Sequence, residues 1–144
     1  MFKITTTPIE HSNEALKLEE PMAGGLVYFE GRVRNHNDGH SVQSLEYQCY
    51  ESMAKQVGDN IIKDALSLFE IHNAHCLHRH GHLKIGDVAV WVGVCSSHRK
   101  EAFLACQYII DKVKSLVPIW KKEHYVNGPA KWVACHNCGQ HLHA

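Results

Sequence analysis

No stretch of the 144 residues is apolar for long enough to span a bilayer, and the opening Met1-Phe2-Lys3-Ile4-Thr5-Thr6-Thr7 lacks the uninterrupted apolar run of a signal peptide. A cytoplasmic protein is the expectation. Nor is charge of one sign in excess: Lys plus Arg number 15, as do Asp plus Glu, so no global field advertises nucleic acid or an anionic membrane as a partner. Any anion site must be local. Repeats, linkers and low-complexity segments are absent, which leaves a single domain over residues 1–144. No phosphate-loop or dinucleotide glycine pattern occurs, because Gly24-Gly25 leads into a strand-like run and not into a helix.

What is present is an ordinary soluble composition, 44% hydrophobic and 21% charged, with two unusual features. Of the six cysteines, Cys49, Cys76, Cys95 and Cys106 sit singly inside apolar segments, which suits reduced, buried thiols. The chain has thirteen histidines, nine of them between His72 and His98 or after Cys135.

The hydrophobic periodicity gives an α+β order. Residues 2–7 and 26–34 read as strands, and Ser12-Asn13 caps a short helix over 14–19. The polar run 35–40 reads as a loop. A strand over 42–50 follows, with Val42, Ser44, Glu46 and Gln48 on one face and Leu45, Tyr47 and Cys49 on the other. Met53, Val57, Ile61, Ile62, Ala65, Leu66 and Phe69 recur at helical spacing over 51–69. Strands over 71–80 and 87–95 come next, joined through Gly81 and Ile85-Gly86-Asp87, and Val88 to Val94 is apolar on both faces, as in a central strand. A helix from near His98 runs until Pro118 stops it, and 119–126 with 131–134 make a terminal hairpin.

Cationic or proton-transferring groups collect where these elements end: Arg32, Arg34 and His36; His98-Arg99; Lys112 and Lys114; Lys121-Lys122. His98 and Arg99 open the third helix, where free N–H groups and the macrodipole favour an anion. Lys114 follows Val113 and lies four residues after Ile110, at the edge of the buried helical face, where desolvation favours a neutral amine able to move protons. Each of these residues also has a plain reading as a solvated strand end, a helix start or a dipole partner.

The histidines offer another chemistry. His78, His80 and His82 alternate at period two and on a regular strand would share a face, while Cys135-His136-Asn137-Cys138 with His141 and His143 supplies zinc-type donors. The span after Cys138 is far shorter than the second half of a zinc finger, and no helix follows to activate a redox CxxC. The expectation is no functional metal and no cofactor. The alternative is a non-enzymatic metal-binding module built on His78, His80, Cys135, Cys138, His141 and His143. A third reading is a phosphate-ester binding domain using Arg34, His98 and Arg99.

Four strings in order, Phe29-Glu30-Gly31-Arg32-Val33-Arg34-Asn35-His36-Asn37, His78-Arg79-His80-Gly81-His82-Leu83-Lys84-Ile85-Gly86-Asp87, Val92-Gly93-Val94-Cys95-Ser96-Ser97-His98-Arg99 and Pro118-Ile119-Trp120-Lys121-Lys122-Glu123, resemble the large, catalytic subunit of molybdopterin synthase. The resemblance runs from about Gly25 to Trp132; residues 1–24 match poorly, and the tail 135–144 is not a family feature. It implies an α/β hammerhead-type α+β fold with a mixed or antiparallel sheet, two main helices and a C-terminal hairpin. It also implies a homodimer, each protomer binding one small ubiquitin-like sulfur carrier to make a heterotetramer. The activity implied is sulfur transfer from the carrier's C-terminal glycine thiocarboxylate to cyclic pyranopterin monophosphate, forming the molybdopterin dithiolene. Family site positions fall on Lys114 and Lys121 as catalytic groups and on Arg34, His98 and Arg99 as phosphate holders. Phe29 and Ile110 fall on the pocket wall, Ile110 standing where the family commonly has methionine.

Overall fold

The computed structural model describes residues 1–134; Cys135, Cys138, His141 and His143, the cysteine and histidine donors of the alternative metal reading, lie outside them. In chain order the elements are β1 (Phe2–Thr5), α1 (His11–Leu16), β2 (Gly25–Arg32), β3 (His36–Asn37), β4 (His40–Cys49), α2 (Glu51–Leu68), β5 (Asn73–Arg79), β6 (Gly81–Lys84), β7 (Val88–Ser96), α3 (Arg99–Leu116), β8 (Ile119–Tyr125) and β9 (Lys131–Ala134). This is the expected α+β architecture, with two long helices and a terminal hairpin.

Two sheets share the work. The first has the order β1-β5-β7-β2 and is mixed, since β1 runs parallel to β5 while the other pairs are antiparallel. Its alternation divides β7 cleanly: Val90, Val92 and Val94 join the core with Ala102, Ala105 and Ile109 of α3, and Trp91 and Cys95 join Ile9, Leu18 and Leu77 on the opposite face. Both faces are therefore covered, which explains why β7 is apolar throughout. The Trp91 ring lies over Gly93, where a Cβ would stand 2.3 Å from it, so only glycine admits the indole there. In the second sheet β4 is central, pairing with β3, β6 and β8, and β9 closes the far side.

Five local expectations need correction. The short helix starts at His11 with Glu10 as its cap residue, and no side chain caps it. Tertiary contacts fix it instead: Trp91 Nε1–H donates to His11 Nδ1 (3.3 Å), and buried Glu14 accepts from His75 Nε2–H (3.0 Å). The polar run 35–40 is a tight hairpin, β3 returning into β4 through Asp38 (φ 48°) and Gly39 (φ 79°), the positive-φ pair that a two-residue type I′ turn requires. A register shift between Val42 and Ser44 takes Val42 off the Ser44 face and into the core with Leu45 and Tyr47. Residues 81–84, read as part of the connection between two strands, form a strand of their own. At Gly81 (φ 99°) the chain leaves the first sheet, and β6 pairs with β4 in the second. That break also separates the alternating histidines: His78 is buried, His82 is exposed, and among the described residues no three His, Cys, Asp or Glu side chains gather as a metal site.

Candidate active site

Four segments converge on one pocket. Val33, buried between strands, is pinned by its N–H to the Asp87 carbonyl (3.0 Å) and by its own carbonyl to the Gly86 N–H (2.9 Å), so the next residue, Arg34, is turned outward at the mouth. Lys114 comes from the last turn of α3, one residue beyond buried Val113, and is half-buried. Lys121 and Glu123 stand on β8 opposite Tyr47 and Leu45 of β4, so the period of two sends both toward the interior. Ala89 and Val90 of β7, with Leu45 and Tyr47, form the apolar floor of a space of about 170 Å³.

The lining carries four cations, Arg32, Arg34, Lys114 and Lys121, against one carboxylate, Glu123. Arg32 is committed elsewhere, its guanidinium 2.8 Å from Glu30. Arg34 is held differently: its Nη2–H donates to Asn37 Oδ1 (3.3 Å), and the Asn37 amide donates onward to Glu123 Oε2 (2.8 Å). Glu123 also accepts from the Tyr125 hydroxyl (2.8 Å) and lies 3.7 Å from Lys121 Nζ. Burial and the Glu123 carboxylate push the Tyr125 phenol up to about 12, so it stays a donor. Beneath the pocket, burial and then the charge of Lys114 push His78 down to about 3, and its Nδ1–H donates to the Arg79 carbonyl (2.8 Å). The result is a concave site with fixed donors and an excess of positive charge, suited to an anion that acquires more charge as it reacts. A larger hollow of about 650 Å³ between α1 and β2 has Glu19 and Glu20 in its wall and no cation, and does not suit an anion.

Of the expected site residues, Arg34, Lys114 and Lys121 meet in this pocket. His98 and Arg99 do not. They are exposed at the other end of α3, roughly 22 Å from Lys114 along the axis at about 1.5 Å per residue. His98 occupies the cap position without a side-chain capping bond. Phe29 and Ile110 face one another across a neighbouring apolar depression of about 200 Å³ between β2 and α3, with Val27, Phe103 and Cys106, and are not in the cationic pocket's lining. Sequence reasoning missed Asn37 and Glu123. For Glu123 a signal existed: in a strand from Ile119, residues 119, 121, 123 and 125 share a face, so an inward Ile119 implies an inward carboxylate.

The family model described as MoaE protein matches residues 4–116. The molybdopterin synthase catalytic subunit of Nostoc sp. is 41% identical over 143 residues, covering 96% of this chain and 87% of that protein. The crystal structure of molybdopterin synthase from Staphylococcus aureus superposes with a TM-score of 0.86 at 35% identity, covering 92% of this chain and 96% of that one. A Helicobacter pylori structure, a complex of subunits 1 and 2 of molybdopterin-converting factor, shares the fold at 23% identity with a TM-score of 0.71, covering 92% of this chain and 88% of that one. On that match, from β1 to the end of α3 and with full-length relatives, the chain belongs to the MoaE family, the catalytic subunits of molybdopterin synthase.

Proposed function

We propose that this catalytic subunit takes sulfur from the C-terminal glycine thiocarboxylate of a small ubiquitin-like carrier and adds it to cyclic pyranopterin monophosphate, building the molybdopterin dithiolene. The observation that carries the reading is the convergence of Arg34, Lys114 and Lys121 on one pocket with an apolar floor. Arg34 binds the substrate phosphate by charge-assisted hydrogen bonds. Lys114 and Lys121 deliver and accept protons and stabilise negative charge as the thiocarboxylate attacks and the cyclic phosphate opens. Phe29 and Ile110 border the site from the adjoining depression. Because the sulfur arrives on the carrier, the subunit needs no reactive thiol. Cys76 and Cys106, pushed up to about 12 and about 11 by burial, are inert at neutral pH.

His98 and Arg99 serve the same phosphate only if a second copy brings them. β2 is one of the two edge strands of its sheet among the described residues, and Leu26, Tyr28 and Phe29 along it and Phe103 beside it are 42–60% exposed. Antiparallel pairing of this edge with its equivalent across a two-fold axis sets the Gly25 end of one β2 against the Arg32 end of the other. From first to last Cα the strand's eight residues span seven steps, roughly 24 Å at about 3.4 Å per step, which matches the distance His98 and Arg99 must be carried. Gly25 abuts the Arg99 backbone, so that residue travels with the strand end. The assembly we propose is this homodimer with one carrier on each protomer, a heterotetramer. The free thiols at Cys49, Cys76, Cys95 and Cys106 support a reducing cytoplasm as its place of work, and no described helix is long and apolar enough to cross a membrane.

The test is reconstitution: metal-depleted protein, thiocarboxylated carrier and cyclic pyranopterin monophosphate, with the dithiolene product followed by mass spectrometry. Wild-type protein turns over without added metal, and Lys114→Ala and Lys121→Ala each lose about 10²-fold or more in rate, the usual scale for a positioned proton donor. Normal turnover by either variant, folded and still bound to the carrier, removes that lysine from the chemistry. Dependence of the wild-type on zinc would revive the metal reading of the cysteine and histidine donors.

A further inference from the structure

We infer that Asn37 is a positioning residue whose amide holds Arg34 over the pocket while keeping its charge free for the substrate. The inference rests on the reading of Arg34 as the phosphate holder. Arg34 donates to Asn37 Oδ1 at 3.3 Å, and Asn37 Nδ2 donates to the buried Glu123 carboxylate at 2.8 Å. A guanidinium has only donors and a carboxylate only acceptors, so the group between them must accept on one side and donate on the other. A short primary amide does both. Aspartate offers no donor to Glu123, serine lacks the fork, and leucine or alanine satisfies neither neighbour.

The arrangement also answers why Glu123 does not consume Arg34. Two residues earlier, Arg32 shows the alternative: its guanidinium sits 2.8 Å from Glu30 and is neutralised there. Asn37 stands between Arg34 and the one carboxylate of the pocket, and a neutral acceptor orients a guanidinium without cancelling its field. The turn makes the placement rigid. Asp38 and Gly39, both at positive φ, close β3 onto β4 in the pairing Asn37↔His40, and this sets the amide beside β8. Glu123 in turn is fixed by the Tyr125 hydroxyl at 2.8 Å and approached by Lys121 at 3.7 Å. Asn37 therefore couples the anion-binding arm of the site to the strand that carries Lys121.

Asn37→Asp tests this with no change of shape: it replaces the donor by a carboxylate oxygen, neutralises Arg34 with a new ion pair and sets two carboxylates side by side. Steady-state parameters are measured on the chain assembled with its thiocarboxylated carrier. Direct binding of cyclic pyranopterin monophosphate to the carrier-free chain is followed by pterin fluorescence. Asn37→Asp raises KM and the dissociation constant at least tenfold, a heavier loss than that in kcat; Arg34→Ala does the same. The double variant Arg34→Ala/Asn37→Asp binds within about twofold of Arg34→Ala alone. Asn37→Ala, which frees Arg34 to fall onto Glu123, weakens binding likewise and serves if the aspartate variant fails to fold. A folded Asn37 variant with unchanged substrate affinity overturns the inference, as do losses that multiply in the double variant. If Arg34→Ala weakens binding and Asn37→Asp does not, the inference falls alone; if Arg34→Ala is itself silent, the reading of Arg34 falls and takes the inference with it.

Discussion

A histidine sealed from water can take up a proton only by placing an uncompensated charge in the core, and His78 is 1% exposed with the charge of Lys114 nearby. Its folded pKa of about 3 lies below the roughly 6.5 of an unfolded chain. Between those values the unfolded state binds a proton that the folded state refuses, so stability is complete above about pH 6.5 and falls as pH drops toward 3. The loss is at most about 1.4 kcal/mol per pH unit. His75, lowered by burial although Glu14 opposes it, acts in the same direction. Urea midpoints should therefore decline from pH 7 to pH 5, and His78→Gln should flatten the decline; an identical slope in the variant would assign it to other groups. The same residue marks the limit of reading by alternation. His78, His80 and His82 share a face only while the strand continues, and a glycine at positive φ between them ends it. Arg34, Lys114 and Lys121 stood among the cations visible at element ends, and the family resemblance, not their spacing, singled them out. Asn37 was not visible in that way, since a neutral amide in a polar run looks like surface until the hairpin meets β8; Glu123 had a sign in the alternation from Ile119, masked by the two lysines beside it.

At the scale of elements, α2 shows two effects in opposition. Gly58 lies mid-helix, where replacing it by alanine gains about 1 kcal/mol of helix propensity. The new Cβ would stand 2.1 Å from the Phe2 ring, which is fully buried against it. Overpacking of this kind costs about 1–3 kcal/mol, and β1 cannot easily retreat: it is paired with β5 on one side and tied to α2 on the other, where Phe2 N–H donates to Asp59 and Lys55 donates to the Phe2 carbonyl. The clash should win, and Gly58→Ala should lower the melting temperature; a rise would mean that β1 shifts freely. The long elements were readable because α2, α3 and β7 each repeat their pattern over many residues. The short ones were not. β6 has four residues and β3 two, too few to show a period, and both exist only because β4 offers an edge. For β3 the Asp38-Gly39 pair was the available sign, a hairpin signal read as plain loop.

At the scale of the molecule, the separation of His98 and Arg99 from the cationic pocket makes a prediction that activity alone can decide. If each site takes Lys114 from one copy and Arg99 from the other, Lys114→Ala and Arg99→Ala homodimers are both damaged at every site. Mixed with exchange of subunits, the two chains give heterodimers in about half of the pairs. In each heterodimer one site carries both alanines, and the other carries neither, because its lysine comes from the Arg99→Ala chain and its arginine from the Lys114→Ala chain. Random pairing should thus restore about one quarter of wild-type turnover from two inactive parents. Sites complete within a protomer give no recovery, since every pocket would then hold one alanine. A charge on the β2 edge away from the site separates pairing from chemistry: Leu26→Glu should yield monomers by sedimentation and abolish the recovery in the mixture. Absence of recovery in the paired mixture would place Arg99 in one site with its own Lys114, which the length of α3 opposes, and would return the two-fold edge pairing to an unneeded assumption.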